Sequence, residues 1–174
     1  MQREVLDKTK AIKLLVLDVD GVLSDGKLYF SNSGDELKAF STLDGQGIKM
    51  LQRSGVEVAI ITGRQSELVA RRAQNLGITQ LVQGREDKLA ALDEMRATTG
   101  LDYPQIAYLG DDLPDLAAIR KVGLGMTVAN GHRFVAEHAD WQTRAAGGSG
   151  AVREACELIM QGQGTLKGAW EQYL

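Results

Sequence analysis

Short apolar runs alternate with amphipathic stretches along the chain. Runs at Ile12–Leu17, Val56–Ile61, Gln80–Val82, Ile106–Leu109 and Leu124–Val128 have the length and continuity of strands buried on both faces, and a further short strand fits Ala139–Gln142. Between them, amphipathic stretches predict helices over Gln46–Arg53, Ser66–Leu76, Glu86–Thr98, Leu113–Lys121, His132–Glu137 and Ala151–Gln161. Gly55, Gly77 and Gly100 stand where three of those helices must stop. This alternation predicts an α/β domain, a Rossmann-like parallel sheet flanked by helices on both faces.

One stretch breaks the rhythm. Residues Lys27–Phe40 carry two β-prone runs around the turn-forming cluster Ser31–Asp35, which reads as a β-hairpin after the first strand. It is expected to project from the sheet end where open α/β folds bind ligands. Segments Ala145–Gly150 and Gly162–Gly164 are expected to be flexible by composition, and residues 162–174 to form a flexible tail whose Trp170 and Tyr173 dock when ordered.

Composition narrows the class. A chain of 174 residues, 44% hydrophobic and 25% charged, has the balance of one globular domain. A net charge of −3 without a Lys/Arg run argues against a nucleic-acid partner. The best apolar run, Ala11–Leu17, is far below the ~20 residues of a membrane span, and Met1–Lys10 lacks the apolar segment of a secretory signal. Cys156 is the only cysteine, which forbids an intrachain disulfide; it reads as a small, semi-buried helix residue, in a cytoplasmic protein.

Four motifs carry chemistry. Asp18-Val-Asp20-Gly21 follows the first apolar run, and two neighbouring carboxylates at a strand end suggest a metal or an acid/base site. The strand period sends Asp18 and Asp20 to the same side. Thr62-Gly63-Arg64 ends the second run, where a hydroxyl and helix-start N–H groups can meet a phosphoryl oxygen. Lys88 lies in the first turn of a helix, a position unfavourable for a cation unless an anion is near. Gly110-Asp111-Asp112-Leu-Pro-Asp115 ends a third run; Asp111 can complete an oxygen-ligated Mg2+ with Asp18, a backbone carbonyl and waters, while Asp112 and Asp115 fit an outer shell, or Asp112 caps the helix whose first turn carries Pro114. Every one of these groups falls at the carboxyl end of a strand or the start of the next helix, where such sheets bind ligands.

In this order the motifs resemble the haloacid dehalogenase superfamily of phosphatases, from about Ile12 to Val128. The resemblance implies that Asp18 is the nucleophile, Asp20 the general acid and then base, Thr62 and Lys88 the phosphoryl binders, and Asp18, Asp20 and Asp111 the Mg2+ site. Superfamily members often insert a cap domain that selects the substrate; here the connections leave room for the hairpin and nothing larger, so the fold is capless and a neighbouring subunit is expected to supply the lid.

The segments Asp18–Gly26, Phe40–Lys49, Thr62–Arg64 and Gly110–Asp115 resemble, more narrowly, capless homotetrameric members acting on sugar-acid phosphates of lipopolysaccharide biosynthesis. That resemblance implies substrate contacts at Ser41, Thr42, Leu43, Asp44, Gly45, Lys49, Arg64 and Arg72 besides Asp20 and Lys88. It also implies a small anionic sugar phosphate as ligand, hairpin-mediated contacts in the tetramer, and a glycine-containing tail able to fold over the site. Arg64, Leu68 and Arg72 recur every fourth residue, which predicts both guanidinium groups on one helix face, suited to a substrate bearing a carboxylate as well as a phosphate. A nine-carbon sugar acid 9-phosphate is the alternative substrate. Alternatives of another class are a receiver-like signalling domain, disfavoured because no acid ends Val56–Ile61, and a non-catalytic scaffold. His132 and His138 read as surface residues.

Overall fold

In a computed structural model that describes residues 2–174, six parallel strands are ordered β5-β4-β1-β6-β7-β8. They are β1 (Leu14–Leu17), β4 (Glu57–Ile61), β5 (Gln80–Val82), β6 (Ile106–Gly110), β7 (Leu124–Thr127) and β8 (Trp141–Gln142). The remaining strands, β2 (Tyr29–Phe30) and β3 (Glu36–Leu37), form the separate antiparallel hairpin that the turn chemistry of Ser31–Asp35 predicts.

Strand β1 is central because all four of its residues are buried. Its period-two alternation sends Leu15 and Leu17 into one core and Leu14 and Val16 into the other. On the first face pack α1 (Gln2–Thr9), α2 (Thr42–Arg53), α3 (Glu67–Asn75) and α7 (Ala151–Gly162). The second face is covered by α4 (Lys88–Thr99), α5 (Leu116–Ile119) and α6 (Arg133–Ala136). Among the described residues, no helix is long and apolar enough to cross a membrane.

The structure departs from the sequence reading in identifiable places. Helix α1 was not expected, because its charges hide the inward face that buries Val5 and Thr9. The helix expected over Leu113–Lys121 opens as a 3-10 turn, Leu113–Asp115, with Pro114 in its first turn, before α5. The tail carries a helix, α8 (Leu166–Glu171), and packs on its own chain: Trp170 Nε1 donates to Glu157 at 3.3 Å, and Gln46 and Arg53 donate to the Tyr173 hydroxyl. Segment 145–150, expected to be flexible for its glycines, is packed against the turn that follows β1.

From β1 the chain moves outward to β4 and β5, then returns past β1 to β6, β7 and β8. The order therefore reverses between β1 and β6, and a crevice opens at their carboxyl ends, the place where open α/β sheets bind ligands.

Candidate active site

Asp18 and Asp111 flank this crevice. The Asp18 N–H still donates to Leu109 O, at 3.0 Å, so the first carboxylate is held in register with β6. The chain then turns tightly over Val19–Leu23, closed by Ser24 N–H donating to Val19 O at 3.0 Å. Gly21 has φ 91°, and a Cβ on it would lie 2.1 Å from Asp111 Oδ2. Only glycine permits both the turn and the approach of Asp111.

Lys88, the first residue of α4, joins the two sides. Its Nζ lies 3.0 Å from Asp18 Oδ1 and 2.6 Å from Asp115 Oδ1, with the ammonium almost wholly buried. The anion that the sequence demanded near this helix start is thus a pair of carboxylates. Asp87 caps the helix, accepting from Ala90 N–H at 3.1 Å, and so aims the first turn at the crevice.

Asp115 is fully buried and organises the β6 side: it accepts from Tyr108 Oη at 2.9 Å, from Asp111 N–H at 3.1 Å and from Asp112 N–H at 3.3 Å. Asp112 turns outward and caps the 3-10 turn through Leu113 N–H at 2.8 Å.

The electrostatics of the cluster are unbalanced. Asp18, Asp111 and Asp115 bring carboxylate oxygens within 4.8 Å of one another around a single ammonium. Burial, and then the neighbouring Asp115, push Asp18 up to about 8 and Asp111 up to about 6. Burial works against the Lys88 ammonium, but Asp18 and Asp115 outweigh it and its pKa rises. A hard divalent cation fits this oxygen-only, electron-rich donor set.

Asp20 lies two residues further on in the same turn. Its carboxylate contacts Lys38 and faces Arg64 Nε at 3.9 Å, and it lies outside the three-carboxylate cluster. Arg64 precedes α3 and is not on its face; its Nη2 donates to Glu36 of the hairpin at 3.0 Å. Arg72, within α3, reaches Ser41 O at 3.1 Å and stacks over Phe40, so the two guanidinium groups approach by different routes.

Thr62 is buried at the end of β4, its N–H paired to Val82 O and its Oγ1 accepting from Arg64 N–H at 3.4 Å. Ser41 caps α2 through Asp44 N–H at 3.4 Å, followed by exposed Thr42 and Leu43 and by Gly45, buried against Arg72. Asp44 does not present its side chain as a substrate ligand would: 1% exposed, it accepts from Arg153 N–H at 2.9 Å and from Gly150 N–H at 3.4 Å and so caps α7 from α2. Lys49 is exposed on α2 and forms no ion pair among the described residues.

The sequence reading missed Tyr108, Glu36 and Lys38. The last two had a readable signal: Glu36-Leu37-Lys38 alternates, so both charges share one face of the hairpin while Leu37 takes the other. Tyr108 gave none, since an aromatic in a buried strand is ordinarily core.

A carboxylate turn after the central strand, a lysine from a later helix and a Gly-Asp-Asp after the adjacent strand define a class of phosphoryl-handling hydrolase. The chain belongs to the haloacid dehalogenase-like hydrolase family, whose model matches residues 77–154. Within it, the chain is 49% identical over 166 residues to 3-deoxy-D-manno-octulosonate 8-phosphate phosphatase of Yersinia pestis, covering 95% of this chain and 89% of that protein. The same phosphatase from Moraxella catarrhalis, solved with magnesium, phosphate and KDO, superposes with a TM-score of 0.98 at 44% identity over 100% of both chains. A probable yrbi family phosphatase from Pseudomonas syringae gives 0.97 at 60% identity, over 98% of this chain and 97% of that one.

Proposed function

We propose that this protein is a Mg2+-dependent phosphatase that hydrolyses 3-deoxy-D-manno-octulosonate 8-phosphate to the free sugar acid and inorganic phosphate, a step of lipopolysaccharide biosynthesis. The observation that carries the reading is the pairing of Lys88 with Asp18 and Asp115 beside Asp111 at the β1/β6 crevice. The similarity to phosphatases named for this substrate supports it along nearly the whole chain.

In this reading Asp18 Oδ attacks phosphorus and the ester P–O bond breaks, with Asp20 giving its proton to the leaving alkoxide. Water then attacks the aspartyl-phosphate, Asp20 takes the water's proton, and phosphate leaves Asp18. Thr62 and Lys88 hold the phosphoryl oxygens. Asp18, Asp111 and the residue 20 carbonyl would hold Mg2+, which when bound offsets the charge of phosphate and carboxylates. Arg64, Arg72, Lys49 and the Ser41–Gly45 segment recognise the sugar acid, with Asp44 holding that segment in place.

The setting is the cytoplasm, where Cys156 stays reduced, and the assembly is a homotetramer built through the hairpin. Its support is a group of exposed apolar side chains on the hairpin, Leu28, Tyr29, Phe30 and Leu37.

The test is phosphate release across sugar phosphates with and without a carboxylate, repeated with Asp18→Asn and after exhaustive chelation. The eight-carbon sugar-acid ester is expected to be preferred, with turnover abolished in the other two arms. Turnover by Asp18→Asn overturns the nucleophile assignment, and preference for a nine-carbon acid 9-phosphate overturns the substrate.

A further inference from the structure

The hairpin inverts the usual order of burial. Leu37 is 62% exposed, while the side chain of Lys38 next to it is 2% exposed. A lysine is almost never fully buried unless a partner holds it. Its partners are carboxylates: the Lys38 ammonium contacts Asp20 Oδ1 and lies 3.3 Å from Glu36 Oε1. Glu36 Oε1 in turn accepts from Arg64 Nη2 at 3.0 Å, and Arg64 Nε returns to Asp20 Oδ2 at 3.9 Å. Two cations and two anions close a ring that joins the hairpin to the turn after β1.

The two oxygens of Asp20 are not equivalent in this ring. Oδ1 is pinned by a buried ammonium, whereas Oδ2 has only a distant guanidinium. From this asymmetry we infer that Lys38 is a positioning residue for proton transfer: it fixes the Asp20 carboxylate by Oδ1 so that Oδ2 is presented to the oxygen that leaves phosphorus. The inference rests on the phosphatase reading with Asp20 as proton donor. It adds a role for the hairpin inside its own subunit, since the segment that exposes Leu37 outward supplies, in the next residue, the group that orients the acid inward.

A positioned donor matters only when the leaving oxygen needs a proton. An alkyl ester such as a sugar phosphate expels a strongly basic alkoxide, whereas p-nitrophenyl phosphate expels a stable phenolate. General-acid assistance, on the order of 10²–10⁴-fold, is therefore confined to the first ester. The ratio of kcat/KM between the two reads the formation of the aspartyl-phosphate alone, and activity on the aryl ester shows that the variant is folded.

Lys38→Met is expected to lower kcat/KM for an alkyl phosphate without a carboxylate at least tenfold more than for p-nitrophenyl phosphate, with Lys38→Arg recovering most of the difference. Asp20→Asn sets the scale and is expected to show the same selectivity more strongly. Equal losses on both esters in Lys38→Met, or none, beside a selective Asp20→Asn, overturn the role of Lys38 and leave the phosphatase reading intact. A non-selective Asp20→Asn overturns the donor assignment and this inference with it. Should Lys38→Met not fold, Lys38→Gln makes the same comparison: a selective loss supports the role and an equal loss overturns it.

Discussion

Gly147 is buried against Gly21, so close that a Cβ on Gly147 would lie 1.7 Å from the Gly21 carbonyl oxygen. The contact holds the turn carrying Asp18 and Asp20 from behind, helped by Gly148 N–H donating to Val22 O at 2.9 Å. Gly147→Ala must push that turn toward the crevice. The expected outcome is a loss of roughly 1–3 kcal/mol in a urea titration and about a hundredfold in kcat/KM for phosphate release, the scale of a 1 Å misplacement at a reacting centre.

Stability should respond to Mg2+ and to pH in a linked way. Asp18 and Asp111 have folded pKa values of about 8 and about 6, above their ordinary 3.8. Without a divalent ion the native state therefore binds more protons than the unfolded chain, and stability falls as pH rises from the ordinary carboxylate range through about 8. Mg2+ is expected to flatten that slope and to add about 2.7 kcal/mol at a free concentration near 100 times Kd. Denaturation at pH 5 and pH 8, in chelator and in Mg2+, checks both, and Asp111→Asn should lose the metal effect.

Asp44 ties the start of α2 to the start of α7. Asp44→Ala leaves the N–H groups of Arg153 and Gly150 without that acceptor, a cost of about 1–3 kcal/mol. Equilibrium unfolding should show an earlier midpoint with an unchanged denaturant slope.

The exposed hairpin residues should report assembly. Phe30→Asp combined with Leu37→Glu places charges among these exposed apolar side chains and is expected to convert the proposed tetramer to smaller species in sedimentation. The double variant should keep its fold by circular dichroism, because both side chains already stand outside the core, at 64% and 62% exposure.

Cys156 is wholly buried in α7, and burial pushes its thiol well above its ordinary pKa. It is expected to resist an aromatic disulfide reagent in the native protein and to react stoichiometrically in denaturant, which an absorbance titration distinguishes.

Much of this protein is written in its apolar periodicity. All six sheet strands were legible, the central ones because a strand covered on both faces must be a short continuous apolar run, as Leu14–Leu17 is. The positions of Asp18, Thr62, Lys88 and Asp111 at strand ends or helix starts were legible for the same reason: where the apolar run stops, the sheet's edge begins. What periodicity could not show was which charges meet. Lys88 pairs with Asp18 and Asp115, Lys38 with Asp20, and Asp44 with the α7 N-terminus, each across a wide sequence separation. Local patterns predict faces and ends. The partners of a buried charge are chosen by strand order and by the close approach that Gly21 and Gly147 permit. Only the tertiary structure therefore gave the two carboxylates of Asp18-Val-Asp20 different partners, Lys88 for the first and Lys38 of the hairpin for the second.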